Sequence, residues 1–393
     1  MATAAPTLRP RRDIPFGRPM IGEAEKAAVI AALGSPTLTH GPRVRQFETD
    51  FAAFTGAERA VATSSCMASL HMAYLALGIE PGSEVIVAAQ THIATAHAAE
   101  LCGATCVFVD CDKDGAIDVA QVESAICSRT RAIAIVHYAG FPVDIAALKR
   151  VAERHGVPIV EDCALALGTR FNGAHVGLHG DIGCFSFYPV KHITTGEGGM
   201  VISRRADLLD RVSRLRAFGI DRNIVSERAL PGEYDAIELG LNYRMSEIAA
   251  AIGIEQLRRA PEFLERRREN FTLLREGLAG GDDLWPLHES QPVADVGVYC
   301  LVAMLSARLT RVRPQLMRAL SGHGVGASVY YPRPVPAMSY YRHKYAYDLS
   351  RFPRAGLISS ASIALPIGPH LDAADIRYMI ETIPDAIQEA LSA

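Results

Sequence analysis

The sequence predicts an α/β fold built on a doubly wound, mostly parallel sheet. Between about residues 58 and 204, short runs rich in β-branched residues alternate with runs of helical periodicity. This alternation is typical of parallel strands joined by crossover helices. At 393 residues, the chain is also long enough for one large domain with an extensive core and a smaller second domain.

The alternating segments can be followed in order along the chain. Strands are predicted at "RAVAT", "EVIVAA", "CVFVD", "AIAIVHY" and "PIVED", and the helical segments between them include "CMASLHMAYLALGI", "TAHAAELCG" and "IAALKRVAERHG". The segments that end these strands are "TSSCM", "AAQTH", "VHYAG" and "EDCALALG". Because ligands of open α/β sheets bind at the carboxyl ends of the strands, we expect a site at this edge.

The second half of the chain has a different pattern. A long charged stretch after "LGLNYRMSE" carries apolar residues at helical spacing, which predicts a helix linking two domains. From about Asp282 onward, short strands and helices with scattered prolines predict a smaller α+β domain. We therefore predict an N-terminal extension (1–20), a large domain (21–255), and a small C-terminal domain with the linking helix (256–393).

Composition limits the classes of partner. The formal net charge of -3 argues against a nucleic-acid-binding surface. A run of about 18 apolar residues, which a membrane span needs, is absent from the sequence, and the N-terminal residues lack the apolar core of a signal peptide. The eight cysteines form no CxxC pair, so we expect reduced thiols, a cytoplasmic location and no metal site.

Lys191 stands out in "SFYPVKHITTGEGGM", between an aromatic strand end and a glycine-rich turn. A desolvated pocket lowers the pKa of a lysine amine, and such a lysine commonly forms a Schiff base. The glycines allow the backbone to approach a ligand closely. A surface lysine at a strand end is an equally good interpretation of this segment alone.

Two further segments point to the same kind of site. Asp162 follows the apolar run "VPIV", and a buried carboxylate there needs a cation or several donors. The protonated ring nitrogen of pyridoxal phosphate would satisfy it, although a helix N-cap or a metal ligand remains open. In "VATSSCMASLH" a helix start follows a strand and suits a phosphate, but ordinary capping explains the same residues. Together with the lysine, the three segments are more specific than any one alone.

With these three segments, the sequence resembles the DegT/DnrJ/StrS family of pyridoxal phosphate-dependent aminotransferases, which act mostly on keto sugars attached to nucleotides. The resemblance covers nearly the whole chain. It begins at "IPFGRPMIGEAEKAAVIAAL" and includes "LTHGPRVRQFETDFAAFTGAERAVAT", "VEDCALALGTRFNGAHVGLHGDIGCFSFYPVKHITTGEGGMV" and "LGLNYRMSEIAAAIGIEQL". It implies the fold-type I architecture: a large domain with a mostly parallel seven-stranded sheet flanked by helices, and a smaller C-terminal α+β domain.

The resemblance also implies roles for individual positions. Lys191 matches the lysine that binds the cofactor covalently, and Asp162 matches the partner of its ring nitrogen. The phosphate would be held by Ser186, by the backbone at Cys66 and Met67, and by an asparagine from the neighbouring subunit, which corresponds to Asn242. A homodimer with shared active sites is therefore expected.

Three positions depart from the usual family pattern. Met67 replaces a threonine of the phosphate loop, so only its backbone contact is carried over. His92 replaces the aromatic residue that often stacks on the cofactor ring, and Leu165 replaces a glutamine near the cofactor. In one branch of the family a histidine replaces the lysine and the enzyme is a dehydratase. Here Lys191 is retained and His192 follows it, which favours transamination.

The expected reaction moves an amino group from L-glutamate, which becomes 2-oxoglutarate, to a keto sugar. Weaker candidates for substrate binding are Arg244, which suits a donor carboxylate, and Tyr330 and Tyr331, which suit the sugar. A structural ion pair for Arg244 and core packing for a tyrosine are alternatives. His137 is interpreted as a hydrogen-bonded core histidine. The alternative functions are amination of a keto-cyclitol or a sugar phosphate, and a non-catalytic regulator that kept the fold.

Overall fold

The computed structural model describes residues 11–220 and 234–393, so residues 1–10 of the predicted N-terminal extension lie outside the described residues. The helices are α1 (Glu23–Leu33), α2 (Pro42–Thr55), α3 (Cys66–Ala76), α4 (Ile93–Leu101), α5 (Val119–Ala125), α6 (Ile145–His155), α7 (Ala206–Leu215), α8 (Glu247–Leu278), α9 (Ala307–Arg311), α10 (Arg313–Gly322), α11 (Ser339–Tyr345), α12 (Pro353–Ser360) and α13 (Ala373–Ser392). The strands are β1 (Ala60–Thr63), β2 (Glu84–Ala88), β3 (Thr105–Val109), β4 (Thr130–Val136), β5 (Ile159–Asp162), β6 (Arg170–Phe171), β7 (Ala174–His175), β8 (Ile182–Ser186), β9 (Gly199–Ile202), β10 (Leu284–Pro286), β11 (Leu301–Leu305) and β12 (Ser362–Leu365).

A seven-stranded sheet organises the first half of the chain. Its strand order is β1-β9-β8-β5-β4-β2-β3. The neighbours from β8 to β3 pair in parallel, whereas β9 is antiparallel to both β8 and β1. The predicted α/β class with a mostly parallel sheet is therefore confirmed, and β9 is the one strand of this sheet that runs against the others.

The strands are buried on both faces because helices cover the sheet on each side. Every residue of β1, β5 and β9 is buried, and all are apolar or glycine except Thr63, Glu161 and Asp162 at the strand ends. Strands buried on both faces are typical of parallel sheets. Helix α3 packs against β8, β9 and β5. Three apolar clusters of buried residues form the core, and the sheet contributes to each of them.

The register of the sheet brings the polar strand ends together. Asp162 is the last residue of β5 and pairs with Cys184 in the neighbouring strand β8, which ends two residues later at Ser186. Gly199, at the start of β9, pairs with Ser186 on one side and with Thr63 of β1 on the other. The predicted site edge is therefore a continuous row across four strands.

The 32-residue helix α8 leads from the large sheet to a smaller, three-stranded sheet with the order β10-β11-β12. Helices α10 and α13 pack against each other, and α13 also packs against α8. The predicted domain boundary at residues 255/256 falls inside α8, so the division of the chain into domains remains a prediction.

Within the described ranges, none of the helices is both long and apolar enough to cross a membrane.

Candidate active site

The loop between β1 and α3 forms one wall of the candidate site. Helix α3 begins at Cys66, and Oγ of its N-cap residue Ser65 accepts a 3.1 Å hydrogen bond from the backbone N–H of Ala68. Oγ1 of Thr63 donates to the Ser65 carbonyl at 3.0 Å, which fixes the loop. The N–H groups of the first helical turn, including those of Cys66 and Met67, have no intrahelical acceptor, and with the helix dipole they suit a phosphate group.

Gly199 lies directly beneath this loop. A Cβ atom at Gly199 would lie 2.5 Å from the carbonyl oxygen of Ser65 and 2.6 Å from Oγ1 of Thr63. Both distances are shorter than any normal contact, and the nearest atom belongs to the backbone. The close approach of β9 to the loop therefore requires glycine at this position.

Asp162 supplies a buried carboxylate at the centre of the sheet edge, with 2% of its surface exposed. Its Oδ2 atom accepts a 2.7 Å hydrogen bond from Oγ1 of Thr95, and its Oδ1 atom accepts a 3.0 Å bond from the backbone N–H of Ala164. No ion pair to Asp162 is found within residues 11–220 and 234–393. Since a carboxylate can accept more than two hydrogen bonds, this group suits a protonated ring nitrogen.

Lys191 lies on the turn after β8, where its backbone N–H donates a 2.9 Å hydrogen bond to the carbonyl of Tyr188. Its Nζ atom lies 5.0 Å from the ring centroid of Tyr299. Burial lowers the pKa of the Lys191 amine, and the nearby Cys66 and Asp162 partly oppose that decrease. A larger share of the amine is therefore neutral near pH 7 than in an exposed lysine, and only the neutral amine is a nucleophile.

The predicted cofactor residues lie near one another. Burial raises the pKa of the Cys66 thiol, Asp162 adds to the increase and Lys191 opposes it, which places all three within electrostatic reach. Ser186 ends β8 beside Gly199, and its Oγ atom accepts a 3.4 Å hydrogen bond from the backbone N–H of Tyr188. The raised pKa keeps the Cys66 thiol protonated, so its position matters here through the backbone and not through thiolate chemistry.

His92 and Tyr331 border the same space from another side. His92 is the N-cap of α4, and its Nδ1 atom accepts a 3.2 Å hydrogen bond from the backbone N–H of Ala94, which leaves the ring proton on Nε2. The His92 and Tyr331 ring centroids are 5.8 Å apart at an interplanar angle of 61°. Desolvation lowers the pKa of His92 although Asp162 opposes the change, so the imidazole is neutral near pH 7. A neutral, flat ring at this position can stack on a cofactor.

Of the two tyrosines predicted to bind substrate, Tyr330 is connected to Lys191 through Tyr299, and the Tyr331 ring centroid lies 5.6 Å from that of Tyr330. The hydroxyl groups of Tyr330 and Tyr299 lie 2.7 Å apart, and the Tyr330 carbonyl accepts a hydrogen bond from the hydroxyl of Tyr138. Tyr331 is buried, and Tyr330 is partly exposed. Tyr330 is therefore the better placed of the two for contact with a ligand.

Asn242 and Arg244 lie apart from this group. The side chain of Asn242 is exposed, and its Oδ1 atom accepts a 2.9 Å hydrogen bond from Nε of Arg244. The Arg244 Nη1 atom donates to Nε2 of His40 at 2.8 Å, and the guanidinium lies 5.0 Å from the ring centroid of Phe218. Tyr243, between these two residues, connects this segment to the loop between β1 and α3. Its carbonyl accepts a hydrogen bond from the backbone N–H of Ser64.

Three residues of the site were not anticipated from the sequence. Thr95 binds Asp162, the Tyr299 ring lies beside Lys191, and Arg267 of α8 donates a 2.8 Å hydrogen bond from Nη1 to the Tyr299 carbonyl. Thr95 lies three residues beyond His92 on a helix that starts at the site edge, a signal that sequence reasoning could have used. The other two come from the second half of the chain and meet the lysine only through the tertiary fold.

The cluster of His137, Glu161 and Cys163 resembles a metal site, but its carboxylate is already saturated. The Glu161 oxygens accept hydrogen bonds from Nε2 of His137 at 2.9 Å and from the backbone N–H groups of Gly177, His179 and Gly180. His137 is fully buried, so its interpretation as a hydrogen-bonded core histidine is confirmed. The cluster serves the structure behind Asp162.

The chain is similar to known proteins over nearly its whole length. Residues 19–384 match the DegT/DnrJ/EryC1/StrS aminotransferase family. The chain belongs to this family. MJ1066, an uncharacterised protein of Methanocaldococcus jannaschii, is 34% identical over 380 residues, covering 96% of this chain and 98% of that protein. The enzyme described here is therefore an aminotransferase that depends on pyridoxal phosphate.

Two solved structures resemble the enzyme closely. The sugar aminotransferase CalS13 from Micromonospora echinospora has a TM-score of 0.85 at 30% identity, covering 95% of this chain and 99% of its own. Spr1654 from Streptococcus pneumoniae, solved in its PLP form, has a TM-score of 0.89 at 28% identity, covering 96% of this chain and 100% of its own. The predicted fold type is confirmed by these similarities.

The residues present fit pyridoxal phosphate. The buried carboxylate of Asp162 has acceptor capacity left for a ring nitrogen, the glycine floor and first turn of α3 suit the phosphate, and the amine of Lys191 is held near both. Leu165, where a glutamine is usual, is 1% exposed and belongs to the apolar core. Leu165 therefore fills this position by apolar packing, without a side-chain hydrogen bond.

Proposed function

We propose that the enzyme transfers an amino group from L-glutamate to the keto group of a sugar that is carried on a nucleotide. The single observation that carries this proposal is the row of Asp162, Ser186 and Lys191 with the first turn of α3 at one edge of the sheet. The sugar as acceptor is supported by CalS13, which is a sugar aminotransferase and resembles the enzyme over nearly the whole chain.

In this proposal each residue of the site has a separate role in the reaction. Lys191 binds the cofactor covalently and, once released, moves the proton at the reacting carbon as general base and acid. Asp162 keeps the ring nitrogen protonated, and Thr95 holds its carboxylate in place. Ser186 and the backbone at Cys66 and Met67 hold the phosphate. Pyridoxal phosphate supplies an electron sink for the C–H bond that breaks during transamination.

We also propose that the active unit is a homodimer. Asn242, the expected phosphate ligand of the neighbouring subunit, is exposed in the single chain. Large apolar side chains nearby are exposed as well, Ile237 to 51% and Leu239 to 92%. Exposed apolar side chains that are close together in the chain favour burial by a partner. Arg244, bound to Asn242, would approach a donor carboxylate only across such an interface.

Other acceptors carry the same kind of keto group. A keto-cyclitol or a sugar phosphate would satisfy the same amination chemistry, and Tyr330 offers a hydroxyl to any of these polyols. A non-catalytic regulator is excluded, because the chain belongs to an aminotransferase family and keeps Lys191, Asp162 and Ser186. None of its eight cysteines forms a disulfide, which supports the predicted cytoplasmic location.

The decisive experiment follows the two half-reactions separately. Purified enzyme with pyridoxal phosphate should show a visible absorption band that L-glutamate shifts to shorter wavelength, with 2-oxoglutarate released. The treated enzyme is then offered nucleotide-linked keto sugars, sugar phosphates and keto-cyclitols, and mass spectrometry identifies the aminated product. Lys191→Ala should lack both the band and the reaction. An unchanged band in Lys191→Ala would refute the role of this lysine, and amination of a cyclitol alone would replace the proposed acceptor.

A further inference from the structure

Arg267 is a buried cation with few partners. It lies on α8 with 5% of its surface exposed, and its Nη1 atom donates to the Tyr299 carbonyl at 2.8 Å. Its Nε atom has no hydrogen-bond partner, and no carboxylate pairs with the guanidinium anywhere in the described part of the chain. Burial lowers the pKa of Arg267 to about 10, so it is still charged near pH 7. A buried charge without a counter-ion lowers the stability of the folded protein, so a functional role for Arg267 is expected.

Arg267 and Lys191 both lie close to the ring of Tyr299. The Tyr299 ring has the Lys191 amine 5.0 Å from its centroid and the Arg267 guanidinium 5.8 Å from it. The ring itself is fixed, because the Tyr299 backbone N–H donates to the Ala139 carbonyl at 2.9 Å and its hydroxyl lies 2.7 Å from that of Tyr330. The two basic side chains therefore share one rigid aromatic neighbour.

The other titratable groups around Lys191 are the Cys66 thiol from α3, the Asp162 carboxylate from β5, the Cys300 thiol beside Tyr299 and the His92 imidazole at the start of α4. The His92 imidazole is neutral near pH 7, because desolvation lowers its pKa. Burial raises the pKa of both thiols, so they are neutral near pH 7. His192, next to the lysine, is neutral too, because burial and the charge of Arg267 lower its pKa. Asp162 and Arg267 are thus the charges that oppose each other at the amine.

We propose that Arg267 is a positioning residue of the active site: with Tyr299 it holds the Lys191 side chain, and its fixed charge disfavours a second positive charge there. Asp162 must remain ionised to bind the cofactor ring, but the same carboxylate favours a protonated, unreactive lysine. Arg267 offsets this effect without touching the cofactor. The inference rests on the proposed role of Lys191 as the covalent cofactor lysine.

The test measures the reactivity of Lys191 as a function of pH in the apoenzyme. The neutral amine attacks the aldehyde carbon of pyridoxal phosphate and water leaves, so the rate of attachment reports the neutral fraction. Borohydride then reduces the new C=N bond to a stable C–N bond, and peptide mass spectrometry locates the modified lysine. Arg267→Gln removes the charge and keeps a donor for the Tyr299 carbonyl, and it should raise the apparent pKa of the reaction by about one unit. Arg267→Lys keeps the charge and should stay close to the unmodified enzyme.

Arg275→Gln is the matched control. Arg275 lies on the same helix, donates a 2.8 Å hydrogen bond from Nη1 to the Gln291 carbonyl, and has its guanidinium 5.4 Å from the ring centroid of Phe271. Its replacement should leave the pH profile unchanged. Arg267→Met serves as a second neutral variant if Arg267→Gln does not fold. A folded neutral variant with an unchanged profile would overturn the proposal, as would an equal shift in Arg267→Lys.

The unmodified enzyme tests the role of Lys191 separately from the role of Arg267. Borohydride fixation at Lys191 in that enzyme supports its proposed role, and the variants then decide the inference about Arg267 alone. Fixation at another lysine would refute the role of Lys191 and, with it, the premise of the inference. Because attachment is measured without an amino donor, neither result depends on finding the sugar substrate.

Discussion

Thr95 Oγ1 donates a 2.7 Å hydrogen bond to Oδ2 of Asp162, and both side chains are buried. The same hydroxyl lies 3.0 Å from Oγ1 of Thr91, so Thr95 is held on α4 while it orients the carboxylate. A hydrogen bond to a buried carboxylate is stronger than one between neutral groups. Asp162 is thus fixed from a helix, at its Oδ2 atom, and from the chain that follows it, at its Oδ1 atom.

Thr95→Val tests this relationship, because valine keeps the shape and removes the donor. We expect a loss of about 1–3 kcal/mol in the free energy of unfolding, and a fall in transamination turnover of roughly tenfold or more, since a shift of about 1.4 kcal/mol already changes a rate tenfold. Thr55→Val is the control, because its buried hydroxyl bonds the Phe51 carbonyl in α2. That variant should lose stability and keep its turnover. Equal turnover in both variants would show that Asp162 needs no help from Thr95.

Gly199→Ala tests the floor of the phosphate loop. The new methyl group would meet the Ser65 carbonyl at 2.5 Å, so either β9 or the loop must move. We expect weaker pyridoxal phosphate binding and a loss of about 1–3 kcal/mol in the free energy of unfolding. Gly356→Ala, inside α12 with open space around it, should leave both quantities intact or raise stability slightly. Cofactor affinity is measured by equilibrium dialysis, and an unchanged value for Gly199→Ala would contradict the close packing described here.

Local sequence patterns predicted much of this arrangement, because the residues that carry it are neighbours in the chain. The strand that ends at Asp162 and the turn that carries Lys191 each have their signal within about a dozen residues. The Arg267–Tyr299 contact has no such signal, since the two residues belong to a charged helix and a loop before β11. The resemblance to a family supplied the expected role of Asn242, which no local pattern could indicate. The role of Arg244 at the donor carboxylate stays a prediction, and in the single chain its guanidinium binds Asn242 and His40.

Stability should fall in mild acid because two histidines are buried as neutral rings. Burial lowers the pKa of His175 and of His288 to about 4, whereas an exposed histidine titrates near 6.5. The unfolded chain therefore binds these protons first, and stability is lost as the pH falls from about 6.5 towards 4. The expected loss is about 2 kcal/mol for each histidine at pH 5 relative to pH 7.5.

This pH dependence is measured by urea unfolding at the two pH values. His175→Gln should lose stability at pH 7.5, because Nε2 of His175 accepts a 2.9 Å hydrogen bond from the backbone N–H of Gly168, but its stability should depend less on pH. His343→Gln changes an exposed histidine and should behave like the unmodified enzyme. If His175→Gln retains the full pH dependence, His175 is already protonated in the native state and the assignment is wrong.

Glu247, the first residue of α8, holds the start of α2 in place. Its carboxylate accepts hydrogen bonds from the backbone N–H groups of Gly41, Arg43 and Val44 at 2.9–3.0 Å, and it is fully buried. Glu247→Gln removes the charge that these donors stabilise, and we expect a loss of about 2–4 kcal/mol in the free energy of unfolding. Glu255→Gln, on the same helix in a pair with the exposed Arg258, should cost about 0.5 kcal/mol or less. Similar losses in both variants would mean that Glu247 contributes no more than a surface charge.

Leu239→Asp tests the proposed subunit interface at its most exposed apolar side chain. A carboxylate buried between two subunits without a partner is strongly unfavourable, so the dimer should dissociate at micromolar concentration. Multi-angle light scattering reports the mass, and the monomer should lose pyridoxal phosphate more readily because Asn242 no longer reaches the other subunit's phosphate. Leu357→Asp changes another exposed leucine, on α12, and should leave the mass unchanged.

Asn242→Ala should weaken cofactor retention without changing the mass, which separates the phosphate contact from assembly. A Leu239→Asp protein that remains dimeric would place the interface elsewhere.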